Sequence, residues 1–173
     1  MANATAGASK SAQIQPRTQK ITTFLWFDNN AEEAVNFYVS TFKNSRIRNT
    51  IPYGEAGPGA KGSVMMIEFE LDGESYVALN GGPAFKFTEA ISLMVNCKTQ
   101  EEVDYFWEKL SEGGQKIECG WLKDKFGLAW QITPEILMEL QRDSDPQKRD
   151  RVMRAMMKMK KLEIAPLLEA AKG

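Results

Sequence analysis

The chain contains no histidine. That absence excludes Ser-His-Asp and Cys-His catalysis, imidazole proton transfer and every histidine-containing metal site. Any catalysis would rest on carboxylates, lysine, tyrosine or cysteine. Only two cysteines occur, Cys97 and Cys119. Two thiols build no disulfide framework and suit a reducing compartment. No apolar run approaches the roughly 20 residues of a membrane-spanning helix. The N-terminus lacks the basic-then-apolar order of a signal peptide, so the expected location is cytoplasmic. A net charge of -1 supplies no general attraction to nucleic acid or an acidic membrane. What is present is ordinary for a soluble globular protein: 173 residues, 43% hydrophobic and 26% charged.

Met1 to Gln19 is rich in Ala, Ser, Gln and Thr without apolar period, and is expected to be a disordered tail. Lys20 to Phe27 reads as a strand buried on both faces. Asp28, Asn29 and Asn30 supply turn and capping chemistry before a helix over Ala31 to Phe42, with Phe37 and Tyr38 in the core. Arg46 to Tyr53 reads as a strand. The loop Gly54 to Gly62 contains a literal G-x-G-x-x-G at Gly57, Gly59 and Gly62. A dinucleotide site needs that motif to open a helix. Here strand-like Val64 to Leu71 follows, so the expectation is a mobile loop at a pocket mouth. Asp72-Gly73 is a two-residue hairpin signal joining that strand to Glu74–Asn80.

The order then repeats. Glu89 to Asn96 reads as a strand. Thr99 to Leu110 reads as a helix with a capping-box pattern at Thr99 and Glu102. Lys116 to Leu122 and Leu128 to Ile132 read as strands around a turn at Asp124, Lys125 and Gly127. Gln131 is the one polar residue in the last run. It is either a structural amide bonded to a neighbouring strand or a pocket residue, because an unpaired buried amide costs about 1–3 kcal/mol. Helices are expected from Pro134 to Leu140, from Pro146 to about Lys160 and from Pro166 to Ala171, with a short strand at Leu162 to Ile164. The basic residues Lys148, Arg149, Arg151, Arg154 and Lys158 read as a solvated face, because no aromatic residues interleave for base stacking. The methionine stripe Val152, Met153, Met156 and Met157 reads as cover for the core or for a partner subunit.

Two strand-helix-strand-strand units in tandem resemble the vicinal oxygen chelate superfamily of glyoxalase, bleomycin-resistance and dioxygenase proteins. The residues Ala34-Val35-Asn36-Phe37-Tyr38 and Cys119-Gly120-Trp121-Leu122-Lys123-Asp124-Lys125-Phe126-Gly127-Leu128-Ala129-Trp130-Gln131-Ile132 resemble its PhnB-like branch, which carries a 3-demethylubiquinone-9 3-methyltransferase name. The resemblance implies an α+β fold. Two βαβββ modules, 20–88 and 89–134, would form a curved mixed sheet around a cavity, with 135–173 a C-terminal helical extension and a homodimer as the assembly. By register it places the superfamily's metal ligands at Thr23, Asn80, Ala90 and Gln131. None is a histidine or a carboxylate, and neutral amide and hydroxyl oxygens are poor ligands for metals that favour imidazole. The expectation is therefore no metal and no cofactor, since no Gly-rich strand-to-helix turn cradles adenosylmethionine.

The leading expectation is a small-molecule binding protein without nucleic-acid or membrane partners. Its pocket is expected at Thr23, Leu25, Phe27, Asn80, Ser92, Met94, Trp130 and Gln131, with Trp26 nearby. The alternatives are an isomerase, lyase or transferase on the same cavity using Cys119, Tyr38 or Glu55, or a partner-binding protein acting through the C-terminal helices. Lys123 and Lys125 near Cys119 are neighbours of the kind that lower a thiol pKa.

Overall fold

The computed structural model describes residues 19–173. The expected tail lies outside the described residues, apart from Gln19. That residue is held in place: its amide nitrogen donates to Glu74 Oε2 at 2.7 Å, and its amide oxygen accepts from Ser75 N at 3.1 Å.

The first module runs β1 (Thr23–Phe27), α1 (Ala31–Thr41), β2 (Arg46–Pro52), β3 (Val64–Leu71) and β4 (Glu74–Asn80). The second runs β5 (Ser92–Cys97), α2 (Gln100–Ser111), β6 (Gln115–Lys116), β7 (Trp121–Lys123) and β8 (Ala129–Pro134). Their sheets have the same plan, β1-β4-β3-β2 and β5-β8-β7-β6. In each, the first strand lies parallel to the last and the remaining pairs are antiparallel. The fold is thus mixed α+β, with the strand-helix-strands order occurring twice. Three helices close the chain: α3 (Glu135–Gln141), α4 (Pro146–Met156) and α5 (Ile164–Lys172). Among the described residues, no helix is long and apolar enough to cross a membrane.

Local chemistry accounts for the elements. In α1, Ala31, Ala34, Val35 and Tyr38 recur on one buried face. Val103, Trp107 and Leu110 do the same in α2. Thr99 Oγ1 accepts from Glu102 N at 3.3 Å, while the Glu102 carboxylate reaches back to Lys98 N, one residue before the partner a capping box uses. Asp72 and Gly73 both have positive φ, 47° and 86°, as the tight hairpin between β3 and β4 requires.

Four expectations are corrected. The Lys20–Phe27 run is shorter as a strand, and only its Leu25 and Phe27 are buried, so one face of β1 is covered. The next module's first strand starts at Ser92 rather than Glu89. Lys116–Leu122 is no single strand but a hairpin of β6 and β7, reversed where Cys119 and Gly120 both take positive φ, 59° and 81°. Leu162–Ile164 forms no strand. Leu162 fills a small core between the last helices, and Ile164 opens α5.

Strand alternation sorts the core. Leu25, Phe27, Ile67, Phe69 and Ala78 share one face of the first sheet and cluster with the buried residues of α1. Leu122, Trp130 and Ile132 belong to the same cluster and pack with Val103, Trp107 and Leu110 of α2. The two halves meet through their helices. Phe42 stacks on Phe106 at 4.9 Å, Tyr105 donates to Thr41 O at 2.9 Å, and the Trp130 ring lies 5.5 Å from both Tyr38 and Phe42. The helices therefore lie between the sheets, and each sheet turns its other face outward.

Candidate functional site

The segment Trp121 to Ile132 has two physical roles, divided by face. The inward one is a clamp. Asp124 is only 3% exposed, yet its carboxylate is fully engaged. One oxygen accepts from Phe126 N at 2.9 Å and Leu128 N at 3.0 Å. The other accepts from the Tyr38 hydroxyl at 2.7 Å and Trp130 Nε1 at 2.8 Å. Burial pushes the carboxyl above its ordinary value, and the four donors pull it partly back. Burial, followed by the adjacent Asp124 charge, pushes the Tyr38 phenol well above its ordinary value. Lys125 extends the clamp by pairing with Glu33 at 2.7 Å, and Phe126 inserts beside Phe37 and Tyr38. Asp124 is thus more than the turn residue read from sequence. The signal available was a nearby Trp130 and a helical Tyr38, both polar-tipped aromatics in apolar surroundings and in need of acceptors.

The outward role belongs to the residues that alternate with the clamp. Gln131 lies opposite Met94 on one side and Trp121 on the other. Its amide donates to Ser92 Oγ at 2.9 Å. Lys123, on the same face, pairs with Glu89 at 2.5 Å. Met94 is 44% exposed. On the first sheet the outward residues are Phe24 and Trp26 beside Val77 and Leu79, with Met66 next along. Phe24 is 53% exposed. Trp26 is fixed by its Nε1 donating to Gly82 O at 2.8 Å and by an edge contact with Phe85 at 5.0 Å.

The eight residues expected to line one pocket are divided by this geometry. Ser92, Met94 and Gln131 come together on the outward face of the second sheet. Leu25, Phe27 and Trp130 are buried in the core beside α1 and α2. Thr23 and Asn80 share the Leu25 side of the first sheet by register. Asn80 is a structural cap there, accepting from Ala31 N at 2.8 Å and donating to Val64 O at 3.0 Å. A run apolar on both faces hides which alternate set the helix covers, so Phe24 was missed. Trp121 was missed because Lys116–Leu122 was read as one strand, whereas Trp121 opens β7 opposite Gln131.

The positions aligned with the superfamily's metal ligands do not fit a metal. Thr23 and Asn80 face the helix side, with both ends of the Asn80 amide spent. Ala90 has no donor side chain. Gln131 is bonded to Ser92 on the other sheet's outward face. Among the described residues, no group of three His, Cys, Asp or Glu side chains could hold a metal ion.

The three candidate nucleophiles and acids also stand apart. Burial and then Glu118 push the Cys119 thiol upward, the reverse of activation, while Lys123 and Lys125 are engaged with Glu89 and Glu33. Tyr38 is buried against Asp124, and Glu55 pairs with Lys61 on the exposed loop.

A hollow of about 380 Å³ lies at the mouth of that loop, lined among others by Asp28, Glu32, Tyr53, Gly59, Asn80 and Gly82. Two of the loop's glycines, Gly57 and Gly59, serve packing. A Cβ on Gly57 or Gly59 would stand 2.6 or 2.3 Å from the Tyr53 ring. The loop runs from β2 into β3, and the N-terminus of α1 borders the hollow through Asn29 and Glu32.

Residues 19–133 match the family model described as 3-demethylubiquinone-9 3-methyltransferase. The PhnB protein from Bacillus cereus, which carries a provisional name of the same kind, is 41% identical, with a TM-score of 0.62. The match covers 67% of this chain and 99% of that one. Protein PA1353 from Pseudomonas aeruginosa shares the fold at 22% identity and a TM-score of 0.58, over 68% of this chain and 98% of its own. No curated protein matches the sequence.

Proposed function

Because the chain belongs to the PhnB-like 3-demethylubiquinone-9 3-methyltransferase family, we propose that it binds a small organic molecule on the outward sheet faces, with a second copy closing the site. The observation that carries this reading is the outward group Gln131, Ser92, Met94 and Trp121. It sets a neutral hydrogen-bonding pair among apolar walls, the composition of a ligand pocket. Phe24 and Trp26 give the first sheet a complementary aromatic floor.

The two faces point away from each other within one chain, so they cannot enclose one ligand. A two-fold copy sets the first face of one chain against the second face of the other, and does so twice. It also removes exposed apolar side chains such as Phe24 and Met94 from water. Methyl transfer is not part of this reading. The glycine loop leads into a strand, and its Gly57 and Gly59 are packed against the Tyr53 ring.

Light scattering on purified protein, followed by native mass spectrometry, tests the reading. The expected result is a dimer carrying or taking up an organic compound. Phe24→Asp should give folded monomer that binds nothing, and Gln131→Leu a dimer that binds weakly. A wild-type monomer that binds equally well would refute the shared site.

A further inference from the structure

The matched family model ends at residue 133, and α3–α5 lie beyond it. These helices have their own small core of Leu137, Leu140, Val152, Leu162 and Leu167. One side of the unit is committed to the second module. Cys119 N donates to Met159 O at 2.8 Å, and Gly120 N to Lys160 O at 2.7 Å. Ile164 N donates to Gln100 Oε1 at 2.8 Å, and Lys161 pairs with Asp104 at 2.6 Å.

The outer side of α4 has a different character. Met153 and Met157, the latter the C-cap of α4, are 42% and 62% exposed. The bond from Met157 N to Met153 O at 2.9 Å keeps them one turn apart, and the Met157 sulfur also accepts from Cys119 Sγ at 3.7 Å. Arg154 and Lys158 follow them in sequence and form a parallel stripe, both exposed. Pro146 to Lys161 holds seven Lys and Arg residues against one acid, Asp150. Lys148 and Lys161 pair with Asp143 and Asp104, and Arg151 donates to the carbonyls of Ala170 and Ala171. Among the described residues, Arg154 and Lys158 form no ion pair.

We propose that this outer side of α4 is a docking surface for an acidic amphipathic helix of a partner protein. The partner's apolar residues would lie on Met153 and Met157, and its carboxylates on Arg154 and Lys158. Thioether side chains adapt to varied apolar partners, and unpaired cations beside them select acidic flanks. The stripe offers no Trp, Phe or Leu anchor of the kind that seats a helix in a lipid interface. It offers no aromatic ring on which a nucleic-acid base would stack.

The test uses the full chain and a labelled 18-residue peptide with leucines on one helical face and glutamates beside them. A scrambled peptide of the same composition, phosphatidylglycerol-containing vesicles and a dT oligonucleotide are the comparators. The amphipathic peptide should bind at least about ten times more tightly than the scrambled one, and weaken as salt shortens the Debye length from about 14 Å to about 5 Å. Met153→Ser/Met157→Ser and Arg154→Glu/Lys158→Glu should each lose at least about ten-fold, with unfolding temperature unchanged because these side chains are exposed. Equal binding of the scrambled peptide would overturn the proposal. So would absence of peptide binding, or preferential binding of vesicles or oligonucleotide lost in the same variants.

Discussion

Replacing Asp124 by alanine removes the acceptor for four donors at once: the Tyr38 hydroxyl, Trp130 Nε1, Phe126 N and Leu128 N. Hydrogen bonds to a charged group contribute about 1.5–3 kcal/mol each, but removals from one network do not add. The Tyr38 hydroxyl and the indole N–H of Trp130 are both held in the core, so each is left without its acceptor. Removing one side of a buried charged network costs about 3–5 kcal/mol, and that is the loss expected here. For a domain of this size each kcal/mol lowers the melting temperature by about 2–4 °C, so Asp124→Ala should melt at least about 6 °C lower.

Urea unfolding followed by tryptophan fluorescence supplies the free energy. Tyr38→Phe should cost about 1 kcal/mol alone and almost nothing in the Asp124→Ala background, because its acceptor is already gone. A sign test accompanies the magnitude. Burial raises the folded Asp124 pKa above the unfolded value, so the native state holds that proton more tightly. Stability from this group therefore falls as pH rises through the interval between the two values, then levels, and the alanine variant lacks the step. If Asp124→Ala lost less than about 1 kcal/mol, the idea that this carboxylate clamps the modules would be wrong.

Glu70 should show the opposite sign. Its hydrogen bond to Arg48, with Arg46 adding to it, lowers its pKa, so its contribution is present above the unfolded carboxylate value and disappears as pH falls through the folded one. Glu70→Gln should flatten that acid limb in a pH series of urea midpoints. Gly120→Ala should destabilise by at least about 1–3 kcal/mol, because φ is 81° and a Cβ would stand 2.8 Å from Ile132 O. A wild-type melting temperature would contradict that geometry. Iodoacetamide at pH 8 should label Cys119 first, since Cys97 is fully buried and its thiol is pushed up to about 12. Labelling of Cys97 without denaturant would refute that order. Nickel, zinc and manganese titrations of untagged protein should leave the melting temperature unchanged; a stoichiometric stabilising metal would mean that ligands other than Thr23, Asn80, Ala90 and Gln131 assemble a site.

Much of the architecture was legible because its signals are local. The Asp72-Gly73 hairpin, the Thr99 cap, the apolar spacing of α1 and α2 and the repeated element order each depend on residues close in sequence. The absence of histidine narrowed the chemistry before any geometry was known. Face selection depends on contacts between distant segments. Leu25 and Phe24 are neighbours with similar apolarity, and only the packing of α1 decides that Leu25 is buried while Phe24 faces outward. The same holds for Trp130 and Gln131. Asp124 is a plausible turn residue until the fold brings Tyr38 to it across 86 positions of chain. Composition, periodicity and turn chemistry determined most of the elements and the repeated order of the two modules. Tertiary structure alone decided which alternate residues became clamp and which became surface, because a strand presents both sets equally until something covers one face.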